Sequence, residues 1–222
     1  MPTTDDQRPT TEGRRPTTRI GYGFDSHEFR PGIPLKIGGI ALAHDRGLGG
    51  HSDGDVLLHA ITDALLGAVS AGDIGTFFPP SDPRWKGAAS SVFLQTALEE
   101  VATAGYKIVN IDTVLVMARP KIVPIAGELR ERVAELLGVK PGEVGIKAKT
   151  PEGLNLDHVA QAHCTVLLES LHAPEALEHM AATADAGSEE ELNAVVEGLV
   201  GRIRDISALG RKVKPFDTDD LT

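Results

Sequence analysis

From Arg19 to about Leu171, apolar positions follow two alternating rhythms. Residues 19–24 (RIGYGF) and 35–40 predict short strands. DGDVLLHAITDALLGAV (53–69) has helical spacing, and its acidic opening suits the positive end of a helix. A second helix is predicted over 90–104, ending near Gly105, and a third from Pro124 to Leu137, closed by Gly138. KIVNIDTVLVM (107–117) shows the period-two alternation of a strand, and EVGIKAK (143–149) and AQAHCTVLLES (160–170) predict two more. Strands interleaved with helices indicate an α/β (α+β) sandwich, with helices covering one face of a β-sheet.

The flanks break this rhythm. Residues 1–18 (MPTTDDQRPTTEGRRPTT) are rich in Thr, Pro and charge, the composition of a disordered N-terminal tail. Residues 172–222 form an acidic C-terminal extension. From 173 onward eleven acids against five bases give −6 of the chain's −10. Within it Ser188 and Glu191 have capping-box spacing. Leu192, Val195, Val196, Leu199, Ile203 and Ile206 then share one face of an expected amphipathic helix over about 189–208.

Composition narrows the function. The 222 residues suit one domain with appendages, here residues 19–171. Aromatics are only 4%, so the core must rest on Val, Leu, Ile and Ala. A net charge of −10 argues against nonspecific nucleic-acid binding, and a polyanionic substrate would need metals or local lysines. The single cysteine, Cys164, excludes an internal disulfide and a cysteine zinc cluster, and its apolar setting reads as a small buried hydrophobe. No apolar stretch approaches the ~18–20 residues of a membrane span, and no signal-peptide core is present, so the expected compartment is cytoplasmic.

Candidate chemistry starts at RIGYGFDSHEF (19–29). Asp25 and His27 are two residues apart, so an extended chain projects both from one face. That pair fits a metal site, an acid/base pair or an ordinary strand end. Farther on, Asp55, His59 and Asp63 fall at i, i+4 and i+8, a polar stripe on an otherwise apolar helix. Carboxylates one turn either side are placed to hold an imidazole tautomer. Asp25, His27 and His59 together would offer one oxygen and two nitrogens, matching a zinc site with an open fourth position.

RIGYGFDSH, GLGGHSDGDVLLHAITDALLGA, GDIGTFFPPSDPRWKGAAS and ARPKIVP, in that order, resemble the 2-C-methyl-D-erythritol 2,4-cyclodiphosphate synthase family. The likeness runs from Arg19 to about Glu152, with a weaker tail to Glu169. It implies that Asp25, His27 and His59 bind Zn2+ or another divalent metal. His51 and Thr150 would stabilise the transition state. Glu152 would help hold Mg2+ or Mn2+ at the substrate diphosphate. Ser52, Asp73, Gly75, Phe78, Asp82 and Lys121 would contact the substrate. Met117, Ala118, Arg119, Pro120, Ile122 and Val123 would hold the cytidine. The family is a homotrimer with active sites between subunits and sheets facing the three-fold axis.

The implied reaction is intramolecular. The 2-phosphate of 4-diphosphocytidyl-2-C-methyl-D-erythritol 2-phosphate attacks the β-phosphorus, forming the 2,4-cyclodiphosphate and releasing CMP. An ionised phosphate is already a nucleophile, so the difficulty is bringing two anions together, which two divalent ions relieve. Neither nucleic acid nor membrane enters this reading. Two departures stand out. Pro80 occupies the place of a common acidic residue, and GLNLDHVAQAHC (153–164) is about three residues shorter than usual and lacks the family's Arg and Glu. Lys149 also replaces a common Thr. Two other readings fit the same ligands, a metal-dependent phosphohydrolase and a catalytically degenerate trimeric homologue. The products of the reaction separate them.

Overall fold

The computed structural model describes residues 17–171. The expected tail falls outside these residues except at Thr17 and Thr18, and Thr18 already pairs with Glu169 in the first strand. The acidic extension and its helix over 189–208 also lie outside the described residues.

Strand β1 (Thr18–Pro31) is followed by β2 (Leu35–Ile37), β3 (Ile40–Leu42) and β4 (Arg46–Leu48). Next come helices α1 (Val56–Ala68), α2 (Ile74–Phe77) and α3 (Ser90–Thr103), then β5 (Tyr106–Val116). Helix α4 (Ala126–Leu137), β6 (Val144–Lys149) and β7 (Val159–Ser170) complete the order. Five strands form one sheet in the order β4-β1-β7-β5-β6. Its pairings are antiparallel except β5 with β6, which α4 connects.

Several boundaries differ from the sequence expectations. The opening strand runs fourteen residues, because β7 pairs with it without a break from Thr18 to Glu28. The run 35–40 is two strands of a hairpin. Gly38 and Gly39 sit at φ +60° and +78°, the left-handed pair that a two-residue hairpin turn requires. Pro124 belongs to a short 3-10 turn, and α4 begins only at Ala126. Asp53 and Asp55 are not in the first turn of α1. Asp55 is its N-cap, accepting a hydrogen bond from Leu58 N.

Helix α1 is apolar on nearly every side, and Leu57, Leu58, Ile61, Leu65 and Leu66 are fully buried. It lies against the inner face of the sheet. Ala160, Ala162, Cys164, Val166 and Leu168 alternate along β7 into the same core, joined by Leu94 and Val101 of α3 and Leu129 and Val133 of α4. On the opposite face Ile20, Tyr22 and Phe24 alternate along β1 at 72, 61 and 43% exposure. The Tyr22 hydroxyl lies 2.9 Å from Nδ1 of His163 on that face. The expected arrangement, helices against one sheet face, is therefore present. Cys164 is buried, and burial pushes its thiol up to about 12.

Candidate metal centre and its cleft

The glycines of RIGYGF set the distance between β1 and α1. A Cβ on Gly21 would stand 1.8 Å from the Ala64 carbonyl oxygen, and one on Gly23 2.0 Å from that of Ala60. Only glycine permits so close an approach. Beyond Gly23, the same inward face carries Asp25 and then His27. The helix runs back along the strand, so His59, one residue before Ala60, arrives opposite them.

Three donor atoms converge there. Asp25 Oδ2 lies 2.8 Å from His27 Nε2 and 2.8 Å from His59 Nδ1, and the two nitrogens are 3.0 Å apart. Burial opposes ionisation of Asp25, but hydrogen bonds to His27 and His59 outweigh it and hold the carboxyl well below the usual range. Burial likewise disfavours the His27 cation, but the Asp25 carboxylate raises that imidazole's pKa. His27 Nδ1–H donates to the Gly49 carbonyl at 2.6 Å, which in the neutral ring leaves Nε2 with a lone pair aimed at the convergence. Of His/Cys/Asp/Glu groups among the described residues, these three form a cluster with all ligand atoms within 4.8 Å of one another. One carboxylate and two imidazoles suit zinc or a similar divalent ion.

The polar stripe on α1 resolves differently from its sequence reading. Asp55 and Asp63 do not hold the His59 ring. Fully buried Asp55 accepts from the Gly38, Gly39 and Leu58 amides at 2.8, 2.7 and 3.1 Å. Asp63 accepts from Ile74 N at 2.8 Å and so ties α2 to α1. Both carboxylates serve backbone donors, and the outer nitrogen of His59 is instead flanked by the hydroxyls of Ser52 and Ser90, at 3.0 and 2.9 Å.

A cleft of about 210 Å³ opens over the three donors. His51, Ser52, Gly75 and Phe78, all anticipated from the sequence, line it. Ile74, Pro80, Trp85 and Phe93 line it as well and were not anticipated. Phe78 stacks on Phe93 at 4.3 Å and meets Trp85 edge-on at 4.9 Å. Four of the chain's nine aromatics fall between positions 77 and 93, a clustering that could have signalled this wall.

Other expected site residues lie elsewhere. Asp73 caps α2, accepting from Thr76 N and Oγ1 at 2.8 and 2.7 Å, and these bonds hold its carboxyl below the ordinary range. Asp82 grips Arg84 and carries the turn at Pro83–Trp85. Its backbone carbonyl lies 3.3 Å from His51 Nε2. Thr150 Oγ1 donates to Glu152 Oε1, and Glu152 adopts a left-handed φ of +49°. Met117 and Ile122 are buried, the Arg119–Pro120 bond is cis, Lys121 is exposed, and Val123 is 76% exposed. Among the described residues, none of 117–123, Thr150 or Glu152 lines the cleft. Ala118 and Arg119 instead border a second cavity of about 340 Å³ with Phe29, His44, Arg46 and Asp157.

Comparison with known proteins places this geometry. The pattern of the YgbB family matches residues 18–169. A 2-C-methyl-D-erythritol 2,4-cyclodiphosphate synthase of Koribacter versatilis is 66% identical over 151 residues, covering 68% of this chain and 97% of its own. The chloroplastic synthase of Arabidopsis thaliana is 52% identical over 153 residues, covering 68% of this chain and 66% of its own. A solved 2C-methyl-D-erythritol-2,4-cyclodiphosphate synthase superposes with a TM-score of 0.65 at 44% identity, over 68% of this chain and all of the other. A CDP-bound form of such a synthase gives 0.65 at 42% identity, with the same coverage.

Proposed function

The chain belongs to the YgbB family, and from that premise we propose how its cleft carries out the family reaction. The protein is a lyase of isoprenoid biosynthesis. It converts 4-diphosphocytidyl-2-C-methyl-D-erythritol 2-phosphate to 2-C-methyl-D-erythritol 2,4-cyclodiphosphate and CMP. One observation carries the assignment: a chain matching 97% of a named synthase at 66% identity brings Asp25, His27 and His59 together under a cleft.

Asp25, His27 and His59 would hold zinc or a similar divalent ion, and Glu152 with the substrate diphosphate would hold magnesium or manganese. The chemistry such ions would supply is neutralisation of charge on the attacking phosphate and the diphosphate. The protein's own work is positioning. The Ser52 hydroxyl and the His51 ring face the cleft as donors for phosphate oxygens. Gly75 and the Phe78 ring shape the pocket for the branched polyol, with Asp73 at the adjoining cap of α2, and the aromatic wall excludes water from it. Asp82 supports the His51 loop through its carbonyl. Holding both phosphates of one molecule in contact makes ring closure effectively unimolecular.

Residues 117–123, Thr150 and Glu152 lie off the cleft lining of their own chain, so a neighbouring copy would supply them. Ile20, Tyr22 and Phe24 offer an uncovered apolar sheet face for such packing. We read the protein as a homotrimer with its sheets toward the three-fold axis and its sites between subunits. Met117–Val123 then receive the cytosine base, Lys121 approaches the phosphates, and Thr150 donates to the transition state. The CDP-bound relative supports a cytidine subsite. We read the enzyme as cytoplasmic; among the described residues no helix is long and apolar enough to cross a membrane. The domain boundaries follow the same reading, with residues 19–171 as the catalytic unit.

Phosphorus NMR on purified protein with the diphosphocytidyl substrate and magnesium tests the assignment. Cyclic diphosphate and CMP should appear, and should be lost on chelation and in His59→Ala. Linear hydrolysis products, or untouched substrate with folded zinc-loaded protein, would refute it.

A further inference from the structure

The outer side of His59 is built more carefully than a structural histidine requires. Its Nε2 lies 2.9 Å from Ser90 Oγ. Ser90 is fully buried, and its hydroxyl stands 2.5 Å from Asp53 Oδ1. An ionised carboxylate only accepts, so the single proton of Ser90 is committed to Asp53. Toward His59, Ser90 then presents a lone pair, and the proton between them must sit on Nε2. In the neutral ring that leaves Nδ1 bare, and Nδ1 is the atom 2.8 Å from Asp25 and 3.0 Å from His27 Nε2. Lys36 Nζ pairs with the other carboxylate oxygen, Asp53 Oδ2, at 3.2 Å.

We infer that Asp53 and Ser90 are positioning residues of the metal centre, a hydrogen-bonded relay that locks His59 in the Nε2–H tautomer and so keeps Nδ1 free to bind the ion. The inference rests on His59 being a metal ligand. Gly49 performs the mirror-image task for His27 through its carbonyl, so both imidazoles are locked with opposite nitrogens protonated. Ser52 reinforces the arrangement without replacing it. Its oxygen also lies 3.0 Å from His59 Nε2, but among the described residues no carboxylate pairs with it. With Ser90 gone, Ser52 is free to donate to a bare Nε2 and so allows the wrong tautomer.

Asp53 has a second task that the test must separate. The same Oδ1 accepts from Ser90 N at 3.1 Å at the start of α3, whose N-cap Ala89 offers no side chain. Ser90→Ala keeps that backbone bond and removes only the hydroxyl. Long-range proton–nitrogen correlation spectra of the metal-stripped, labelled protein at mildly alkaline pH report each neutral imidazole's tautomer directly. His59 should be Nε2–H in the parent and a mixture of tautomers in Ser90→Ala. Zinc affinity, measured by competition with a chromophoric chelator, should fall roughly 10- to 100-fold, while far-UV circular dichroism stays unchanged. Asp53→Asn should move both readouts the same way by less, and it decides the matter if Ser90→Ala does not fold. An Nδ1–H His59 in the parent overturns the inference, as does a folded variant with unchanged tautomer and zinc affinity. A parent with the tautomer locked but no zinc binding would strike the metal reading and leave the lock standing.

Discussion

Gly23→Ala puts the geometry of the centre under the most direct strain. Gly23 has an ordinary strand conformation, so the added methyl offends by crowding and not by backbone angle. Its Cβ would lie 2.0 Å from the Ala60 carbonyl oxygen and 2.6 Å from Ala64 N, both backbone atoms that cannot rotate aside. Real Cβ atoms essentially never come within 3.0 Å of another heavy atom, so α1 must retreat by at least the missing 1.0 Å. His59 is the residue before Ala60 and is carried with it. A displacement of about 1 Å stretches a contact such as the 2.8 Å Asp25–His59 bond past hydrogen-bonding range. Overpacking of this kind costs about 1–3 kcal/mol. At about 2–4 °C per kcal/mol for a domain of this size, melting should fall by about 2–12 °C. Zinc affinity should drop at least about tenfold, and turnover about a hundredfold, as expected for a misplaced reacting group. Calorimetry and chelator competition measure the first two. Gly127→Ala is the control. Its Cβ would meet no heavy atom within 4 Å, and it should gain up to about 0.5–1 kcal/mol. A Gly23→Ala protein that melts with the parent and binds zinc equally well would refute the argument.

Three further outcomes follow from the same packing. Asp55→Ala strips the acceptor from three backbone amides near the start of α1. Two of the three donors, Gly38 N and Leu58 N, are buried, so at about 1–3 kcal/mol per buried unsatisfied donor urea denaturation should show a loss of at least about 2 kcal/mol. Cys164, with its thiol pushed up to about 12 by burial, should resist thiol reagents at neutral pH and react at once after unfolding. In metal-stripped protein, the raised pKa of His27 gives stability that is full below its ordinary 6.5 and lost as pH rises through the raised value. The lowered pKa of Asp25 gives stability present above its ordinary 3.8 and lost as pH falls toward the depressed value. The melting temperature should therefore fall from mildly acidic to alkaline pH. With zinc loaded it should instead rise from acidic toward neutral pH, because the metal competes with protons for the same nitrogens. A zinc-loaded protein that follows the metal-stripped trend would contradict the ligand assignment.

Much of this centre was legible in the chain itself. Period two placed Asp25 and His27 on one strand face, and period 3.6 placed His59 on an apolar helix. The alternation of strands and helices gave the sandwich. Those signals are local, since backbone geometry alone converts spacing into direction. The roles of Asp55 and Asp63 were not legible, because one helical turn brings a carboxylate near an imidazole but does not say which donor it will choose. The structure gives both to backbone amides, of Gly38, Gly39 and Leu58 and of Ile74. The boundary of the first strand depended on β7, more than a hundred residues away. Tertiary structure alone decided which nitrogen of each histidine faces the Asp25 carboxylate. Those choices come from Gly49 and Ser90, 22 and 31 residues from the rings they hold. A hydrogen bond between such distant positions leaves no periodic trace in the sequence, because its geometry exists only after the chain has packed.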